Sequence, residues 1–192
     1  EIDPERILLS GNGEAGLFYA LVTLSQLARH VALTLQASLG AMRIEDWPSL
    51  ENRAWVNWAD ALYSSFTEQT PGADRAPEIL SGFYEYLDRL AIGSKLNVYS
   101  WLNPTSIRYE NKAASVYSDR NAYLSIQDLG RLAGYCRDHH VEFIPALNGP
   151  SHAVWLTSKR PELILKGYNN YDADPTDPRF FQNYLLLQDE LV

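Results

Sequence analysis

The 192-residue sequence has little that could cross-link it or bind a metal ion. Its single cysteine, Cys136, excludes an internal disulfide, and the residues around it (134–138, GYCRD) lack the spacing of metal ligands. Cys136 falls on the apolar face of a predicted helix, so we expect a small buried hydrophobic side chain. No metal and no cofactor are expected.

Positive charge is also scarce. Sixteen Lys and Arg residues stand against 24 Asp and Glu residues, for a net charge of −8. Nucleic acids and anionic membranes both require a basic protein surface, so neither is an expected partner. No apolar run approaches the roughly 20 residues of a membrane span. The chain begins at Glu1 without a signal peptide, so we expect that any targeting segment was removed or was never included, which leaves localisation open.

Aromatic residues, in contrast, are abundant, with five Trp and twelve Tyr. Hydrophobic residues make up 46% of the chain, which is typical of a globular protein with a substantial core. The aromatic excess fits a large core. It equally fits a carbohydrate site, where flat rings cover the apolar faces of sugars.

The order of the predicted elements is that of an α/β protein. A short strand over 6–10 and a helix from Glu14, followed by Gly40 as a C-cap, precede a linker at 44–48. Beyond Pro48, strands alternate with helices. The predicted strands cover 53–60, 95–102 and 141–147, and the helices cover 77–90, a segment capped by Ser125, and 180–191. This alternation predicts a parallel sheet with crossover helices.

Each helix has a predicted buried face. In the first, the apolar residues recur at three- and four-residue steps: Leu17, Ala20, Leu21, Leu24, Leu27, Ala28 and Val31. In the second, the inner residues are Ile79, Leu80, Phe83, Leu87 and Leu90. In the third, Ser125 and Asp128 form a capping box, and the apolar face is Leu129, Leu132, Ala133 and Cys136.

Two architectures fit this alternation: an open doubly wound sheet and part of a (β/α)₈ barrel. An open sheet that binds nucleotides would need a Gly-rich turn after its first strand, and residues 61–66 contain none. A barrel predicts polar and aromatic residues at the carboxyl ends of its strands. Three pairs of such residues are present: Trp58 and Asp60, Trp101 and Asn103, and Asn148 and His152. They predict a site of the size of a sugar.

Several segments, in order, resemble the family-20 glycoside hydrolases, the β-N-acetylhexosaminidases. They are 16–27 (GLFYALVTLSQL), 44–48 (IEDWP) with Arg53, 95–98 (KLNV), 144–152 (IPALNGPSH), 160–163 (RPEL) and 174–175 (DP). The resemblance implies that residues 1–47 are the C-terminal part of the small α/β domain that precedes the barrel. It implies that residues 48–192 are the first three β/α units of a truncated (β/α)₈ barrel. The same small domain precedes the barrels of O-GlcNAcases and α-glucuronidases.

The resemblance also implies a substrate-assisted hydrolysis, in which the acetamido oxygen of the sugar attacks its own anomeric carbon. An Asp-Glu pair after the fourth strand supplies the orienting carboxylate and the general acid, so it is expected beyond Val192. No catalytic residue is then expected in this chain, which alone should be inactive. Asp189 and Glu190 are an adjacent pair, but they lie in a helical pattern that explains them as a solvated face.

Two residues carry over from the family pattern. Arg53 is similar to an arginine that binds sugar hydroxyls, and His152 is similar to a histidine that contacts the catalytic acid. We expect both to point into a common mouth. The alternative for Arg53 is a surface or barrel-rim salt bridge, with Glu51 or Asp60 as the partner. The full predicted substrate-binding set is Arg53, His152, Asn148, Trp101 and Asn103.

Several carboxylates of the family pattern are missing. Asn148 stands where the family usually has Asp, 102–108 has no carboxylate, and Asn57 and Trp58 stand near the place of an expected Asp. Three alternatives remain open: a divergent hexosaminidase, a glycosidase acting on another sugar such as a uronic acid, and a carbohydrate-binding relative that does not cleave.

The expected partners are a carbohydrate and whatever completes the sheet. Three strands cannot close a barrel, so we expect the remainder of the barrel or another chain to cover the open sheet edge. The resemblance implies an extracellular, periplasmic or lysosomal location.

Overall fold

The computed structural model describes residues 1–34, 40–57, 76–102, 104–118, 124–167 and 169–191. The helices are α1 (Gly13–Thr34), α2 (Ala76–Tyr86), α3 (Ile126–Asp138), α4 (Val154–Thr157) and α5 (Pro178–Leu191), and a π-helical turn, Leu87–Ile92, continues α2. The strands are β1 (Ala54–Asn57), β2 (Val98–Leu102), β3 (Ile107–Arg108), β4 (Leu124–Ser125) and β5 (Glu142–Ala146). Three 3-10 turns cover Pro104–Ser106, Ser115–Tyr117 and Pro161–Leu163.

The main sheet has three parallel strands in the order β1-β2-β5. Its register aligns Val56 with Ser100 and Ser100 with Ile144. A second, two-stranded parallel sheet pairs β3 with β4. The predicted α/β class, with strands at all three expected places, is confirmed.

Both crossover helices lie on the same face of the main sheet. Trp101 is 2% exposed, and its ring lies 5.2 Å from that of Phe83 on α2. Tyr84 of α2 stacks on Tyr135 of α3, with 4.2 Å between ring centroids. Side chains alternate along a strand, so the neighbours of Trp101 in sequence face the other way.

The opposite face of the main sheet is open in the described part of the chain. Val56 is 52% exposed and Ile144 is 40% exposed, although both belong to parallel strands. Parallel sheets are almost always covered on both faces. The exposed aliphatic layer is therefore a surface that a further element would normally bury.

The π-helical turn after α2 changes which side chains face the core. Leu87 and Ala91 are each 1% exposed, whereas Leu90 is 37% exposed. A π turn takes more residues than an α turn, so it rotates the following residues around the helix axis. The prediction that Leu90 lies on the inner side is therefore wrong.

Helix α1 buries only part of the predicted face. Of its residues only Val22 is buried, and Leu17 and Leu21 are 45% and 51% exposed. The packed face includes Tyr19, whose hydroxyl donates to the His140 carbonyl over 3.4 Å, and Gln26, whose amide donates to the Gly93 carbonyl over 2.7 Å. The predicted stripe is confirmed only in part, because apolar spacing does not say which neighbour is present. Its half-buried members are Ala20, Leu24, Leu27 and Val31, and its exposed members are Leu17, Leu21 and Ala28.

The other predictions for the N-terminal segment have mixed outcomes. The strand expected at 6–10 is reduced to an isolated antiparallel bridge between Ile2 and Ile7. The helix end expected before Gly40 lies outside the described residues, because 35–39 are not described. The domain boundary between 47 and 48 stays a prediction.

The start of α3 follows the predicted capping box. The Ser125 hydroxyl accepts a hydrogen bond from the Asp128 amide over 3.1 Å, and the Asp128 carboxylate accepts one from the Ser125 amide over 2.9 Å. Leu132 and Cys136 are buried, as expected. Burial raises the pKa of the Cys136 thiol to about 12.

Candidate functional site at the carboxyl edge of the sheet

The loop that follows β5 is held from several sides. The Asn148 carbonyl accepts a hydrogen bond from the Trp155 indole over 2.7 Å, and the Leu147 carbonyl accepts one from the Tyr184 hydroxyl over 3.2 Å. Ala153 is fully buried, and its amide donates to the Tyr171 carbonyl over 2.7 Å. These bonds fix the backbone around His152, which a binding site on a loop requires.

His152 itself has an uncommon backbone conformation. Its φ is 56°, in the left-handed region that costs an L-residue about 1 kcal/mol, although histidine is enriched there. The side chain is exposed, and its imidazole stands at 81° to the Tyr171 ring with 6.1 Å between centroids. The two rings form a corner at the carboxyl edge of the sheet.

Asn148 lies in the same loop as His152 and is half-buried. A Cβ at the next residue, Gly149, would lie 2.9 Å from the Phe180 ring, so only glycine lets the loop approach α5 this closely. The structure thus brings two of the predicted residues, Asn148 and His152, into one loop.

Arg53 does not join this loop. It precedes β1, and its Nε donates to the Lys95 carbonyl over 2.7 Å, at the amino end of β2. Its Nη1 donates to the carbonyls of Leu50 and Glu51 over 2.8 and 3.2 Å. The expectation that Arg53 and His152 share one mouth is wrong, because the two residues lie at opposite edges of a sheet roughly 16 Å deep.

The role of Arg53 is visible in its contacts. Asn97 accepts the Arg53 amide over 2.7 Å, and the guanidinium carbon lies 5.6 Å from the Tyr19 ring centroid. The expected alternative is an ion pair between Arg53 and a carboxylate at the rim. Arg53 does lie at the rim, but it bonds the backbone carbonyl of Glu51 and not the Glu51 carboxylate. Asp60, the other expected partner, lies outside the described residues.

Arg53 is part of a polar group that ties α1 to the amino edge of the sheet. The Lys95 ammonium donates to the Thr23 hydroxyl over 2.7 Å and forms an ion pair with Asp46. The hydrogen bond from Lys95 lowers the pKa of Asp46. Lys95 has a φ of 57°, in the left-handed region that is uncommon for residues other than glycine.

Trp101 and Asn103 complete the account of the predicted set. Trp101 is buried against Phe83 on the helix-covered face, so its ring is not placed where a sugar could stack. The residue lies near the carboxyl end of β2, as predicted, but its side chain points into the core. Asn103 lies outside the described residues, as do Trp58 and Asp60.

The adjacent carboxylates Asp189 and Glu190 lie in α5, as their helical pattern predicts. Glu190 accepts hydrogen bonds from the backbone amides of Glu110 and Asn111 over 2.7 and 2.9 Å. Glu190 is therefore not merely a solvated residue, because it fastens the segment after β3 to the last helix.

Tyr171 is the residue of this region that sequence reasoning missed. It lies in a loop with no periodicity, and the only signal is an aromatic residue after the turn-forming pair Asn169-Asn170.

Within the described ranges, no group of three or more His, Cys, Asp and Glu side chains could hold a metal ion. Nor is any helix in those ranges both long and apolar enough to cross a membrane.

Comparison with known proteins gives a likeness in fold. The sequence matches no family profile and no curated protein. In fold the chain is similar to a chitobiase of Flavobacterium johnsoniae, FjGH20, with a TM-score of 0.54 and 18% sequence identity. The similarity covers 76% of this chain and 22% of the chitobiase chain, so this chain matches about a fifth of that protein. The expected structural resemblance to family-20 glycoside hydrolases is thereby confirmed.

Proposed function

We propose that this chain is the N-terminal portion of a glycoside hydrolase of β-N-acetylhexosaminidase type. It would contribute the first three β/α units of a (β/α)₈ barrel that hydrolyses terminal N-acetylhexosamine residues with help from the substrate's acetamido group. The catalytic Asp-Glu pair is expected in sequence beyond Val192. The observation that carries this proposal is the likeness in fold to the chitobiase.

The topology of the sheet supports the barrel part of the proposal. The strand order follows the chain order, and both crossover helices cover the same face. An open doubly wound sheet reverses its strand order and has helices on both faces, whereas a barrel keeps one direction and one covered face.

The open face of the sheet supports it as well. Val56, Ser100 and Ile144 align across the three strands and lie on the uncovered side of the sheet, which is the side that faces the interior in a barrel. We propose that the remainder of the barrel, or another chain, covers this layer.

Within the chain, we propose His152 and Asn148 as the residues on the substrate side. They follow β5, and the active sites of (β/α)₈ enzymes lie at the carboxyl ends of the strands. Arg53, at the opposite edge and bonded to three backbone carbonyls, is better explained as a structural residue.

A second candidate function is carbohydrate binding without cleavage. It is favoured by Asn148, which cannot ionise where the family usually has Asp, and by the absence of a carboxylate from 102–108. A glycosidase acting on another sugar, such as a uronic acid, would use the same scaffold.

Paired substrates test the proposal on the complete natural protein that carries these residues. We expect release of p-nitrophenol from the N-acetyl-β-glucosaminide and none from the plain β-glucoside, because only the former has the acetamido nucleophile. Equal turnover of both substrates contradicts the proposed mechanism. Binding of N-acetylglucosamine oligomers in calorimetry without any turnover supports the second candidate. The 192 residues alone should give no turnover.

A further inference from the structure

Tyr171 is an exposed aromatic residue on a well-fixed backbone. Its side chain is 51% exposed, while its carbonyl accepts the Ala153 amide over 2.7 Å and its amide donates to the Asn169 side chain over 3.0 Å. Two residues further on, Ala173 is 1% exposed and donates its amide to the Pro150 carbonyl over 2.9 Å.

These bonds place Tyr171 against the His152 loop from both sides. Ala153 and Pro150 flank that loop, and the side chain of Thr157 in α4 also bonds the carbonyl of Asn170. A ligand that contacts the ring would therefore meet a surface whose backbone is already ordered, which reduces the entropy lost on binding.

The geometry of the two rings suits a sugar. The Tyr171 ring and the His152 imidazole are nearly perpendicular and 6.1 Å apart, so they form two walls of one corner. A tyrosine offers a flat apolar ring with a polar hydroxyl at its tip. A pyranose has the complementary form, with an apolar C–H face and a rim of hydroxyl groups.

We infer that Tyr171 is a carbohydrate-stacking residue, whose ring lies against the apolar face of a sugar unit at the His152 corner. The inference rests on the proposed function for the location of the site, but ring stacking does not require an acetamido group. It assigns to Tyr171 part of the affinity for a saccharide and no part in the chemical step.

Calorimetry with the thio-linked analogue of N,N′-diacetylchitobiose, which the proposed hydrolase would not cleave, and with cellobiose tests the inference on the complete natural protein. Tyr171→Ala and Tyr171→Leu should each weaken binding about tenfold, because both remove the ring. A tenfold change in the dissociation constant corresponds to about 1.4 kcal/mol. Tyr171→Phe should stay within about twofold, because it keeps the ring. Trp47→Ala is the matched control: Trp47 is an aromatic residue that is 73% exposed, but it lies next to Asp46, which pairs with Lys95 at the amino edge, so its removal should leave the affinity unchanged.

The outcomes separate this inference from the proposed function. Binding of cellobiose but not of the thio-linked diacetylchitobiose, lost in Tyr171→Ala, supports the stacking role and contradicts the hexosaminidase assignment. Unchanged affinity in Tyr171→Ala overturns the stacking role alone, as does a loss in Tyr171→Phe as large as in Tyr171→Ala. An equal loss in Trp47→Ala also overturns it. Absence of binding to either sugar by the unaltered protein overturns both.

Discussion

Gly149→Ala probes how closely the loop that carries His152 is packed against α5. The added Cβ would lie 2.9 Å from one Phe180 ring carbon and 3.3 Å from a second, as well as 3.3 Å from a carbon of Tyr184. Carbon atoms pack best at about 3.5–4.0 Å, so the ring would have to move by roughly 0.6 Å or more. Phe180 is 2% exposed and has little space to move into. Overpacking of this kind costs about 1–3 kcal/mol.

Gly130→Ala is the matched control for that substitution. Gly130 lies in α3, and a Cβ there would meet nothing within 4 Å. An alanine in a helix is favoured over glycine by about 0.5–1 kcal/mol, so this variant should be more stable than the parent. Urea unfolding followed by tryptophan fluorescence gives both free-energy differences. A Gly149→Ala variant as stable as the parent would refute the described contact between the loop and α5.

Three further predictions concern the ion pair of Asp46, the helix cap at Ser125 and the buried thiol of Cys136. Asp46→Asn should lower the free energy of unfolding by about 0.2–1 kcal/mol at pH 7, since Asp46 is 44% exposed and pairs with Lys95. Because the folded-state pKa of Asp46 is lowered, its contribution to stability is complete above the unfolded-state pKa and is lost as the pH falls through the folded-state pKa. The urea midpoints of the parent and the variant should therefore converge in acid. A difference between the midpoints that stays constant with pH contradicts the ion pair. Ser125→Ala should lower the free energy of unfolding by about 1 kcal/mol in the same assay. Ser125→Asn should lower it much less, because asparagine can also cap a helix, and equal losses in the two variants would exclude the cap. The Cys136 thiol, 1% exposed, should react with a disulfide reagent only after unfolding, and rapid reaction of the native protein would show that it is accessible.

Sequence patterns predicted where helices and strands lie better than they predicted which of their side chains are buried. The capping box of Ser125 and Asp128 needs only local chemistry, and it formed as expected. The same reasoning placed Leu90 inside and Leu21 on a buried stripe, and both are exposed. Burial depends on a neighbouring element, or on a π turn that shifts the helix face, and neither is encoded in the spacing of apolar residues.

The candidate site shows a similar division. Asn148 and His152 could be placed at a carboxyl edge because that edge follows directly from the strand order. Arg53 could not, because its predicted role comes from the family resemblance, although it stands at the start of the predicted strand 53–60; β1 begins at Ala54, so Arg53 lies at the amino edge. Tyr171 is brought to His152 by backbone hydrogen bonds between two loops, which no local pattern predicts.

The central claim is that the carboxyl edge of the sheet holds the sugar. Amide hydrogen exchange of the complete natural protein, with and without the thio-linked, uncleavable analogue of N,N′-diacetylchitobiose, tests it most directly. The account predicts slower exchange in 147–155 and 169–173, around His152 and Tyr171, and no change in 50–53 and 93–97, around Arg53. Slower exchange confined to the segments around Arg53 would contradict it.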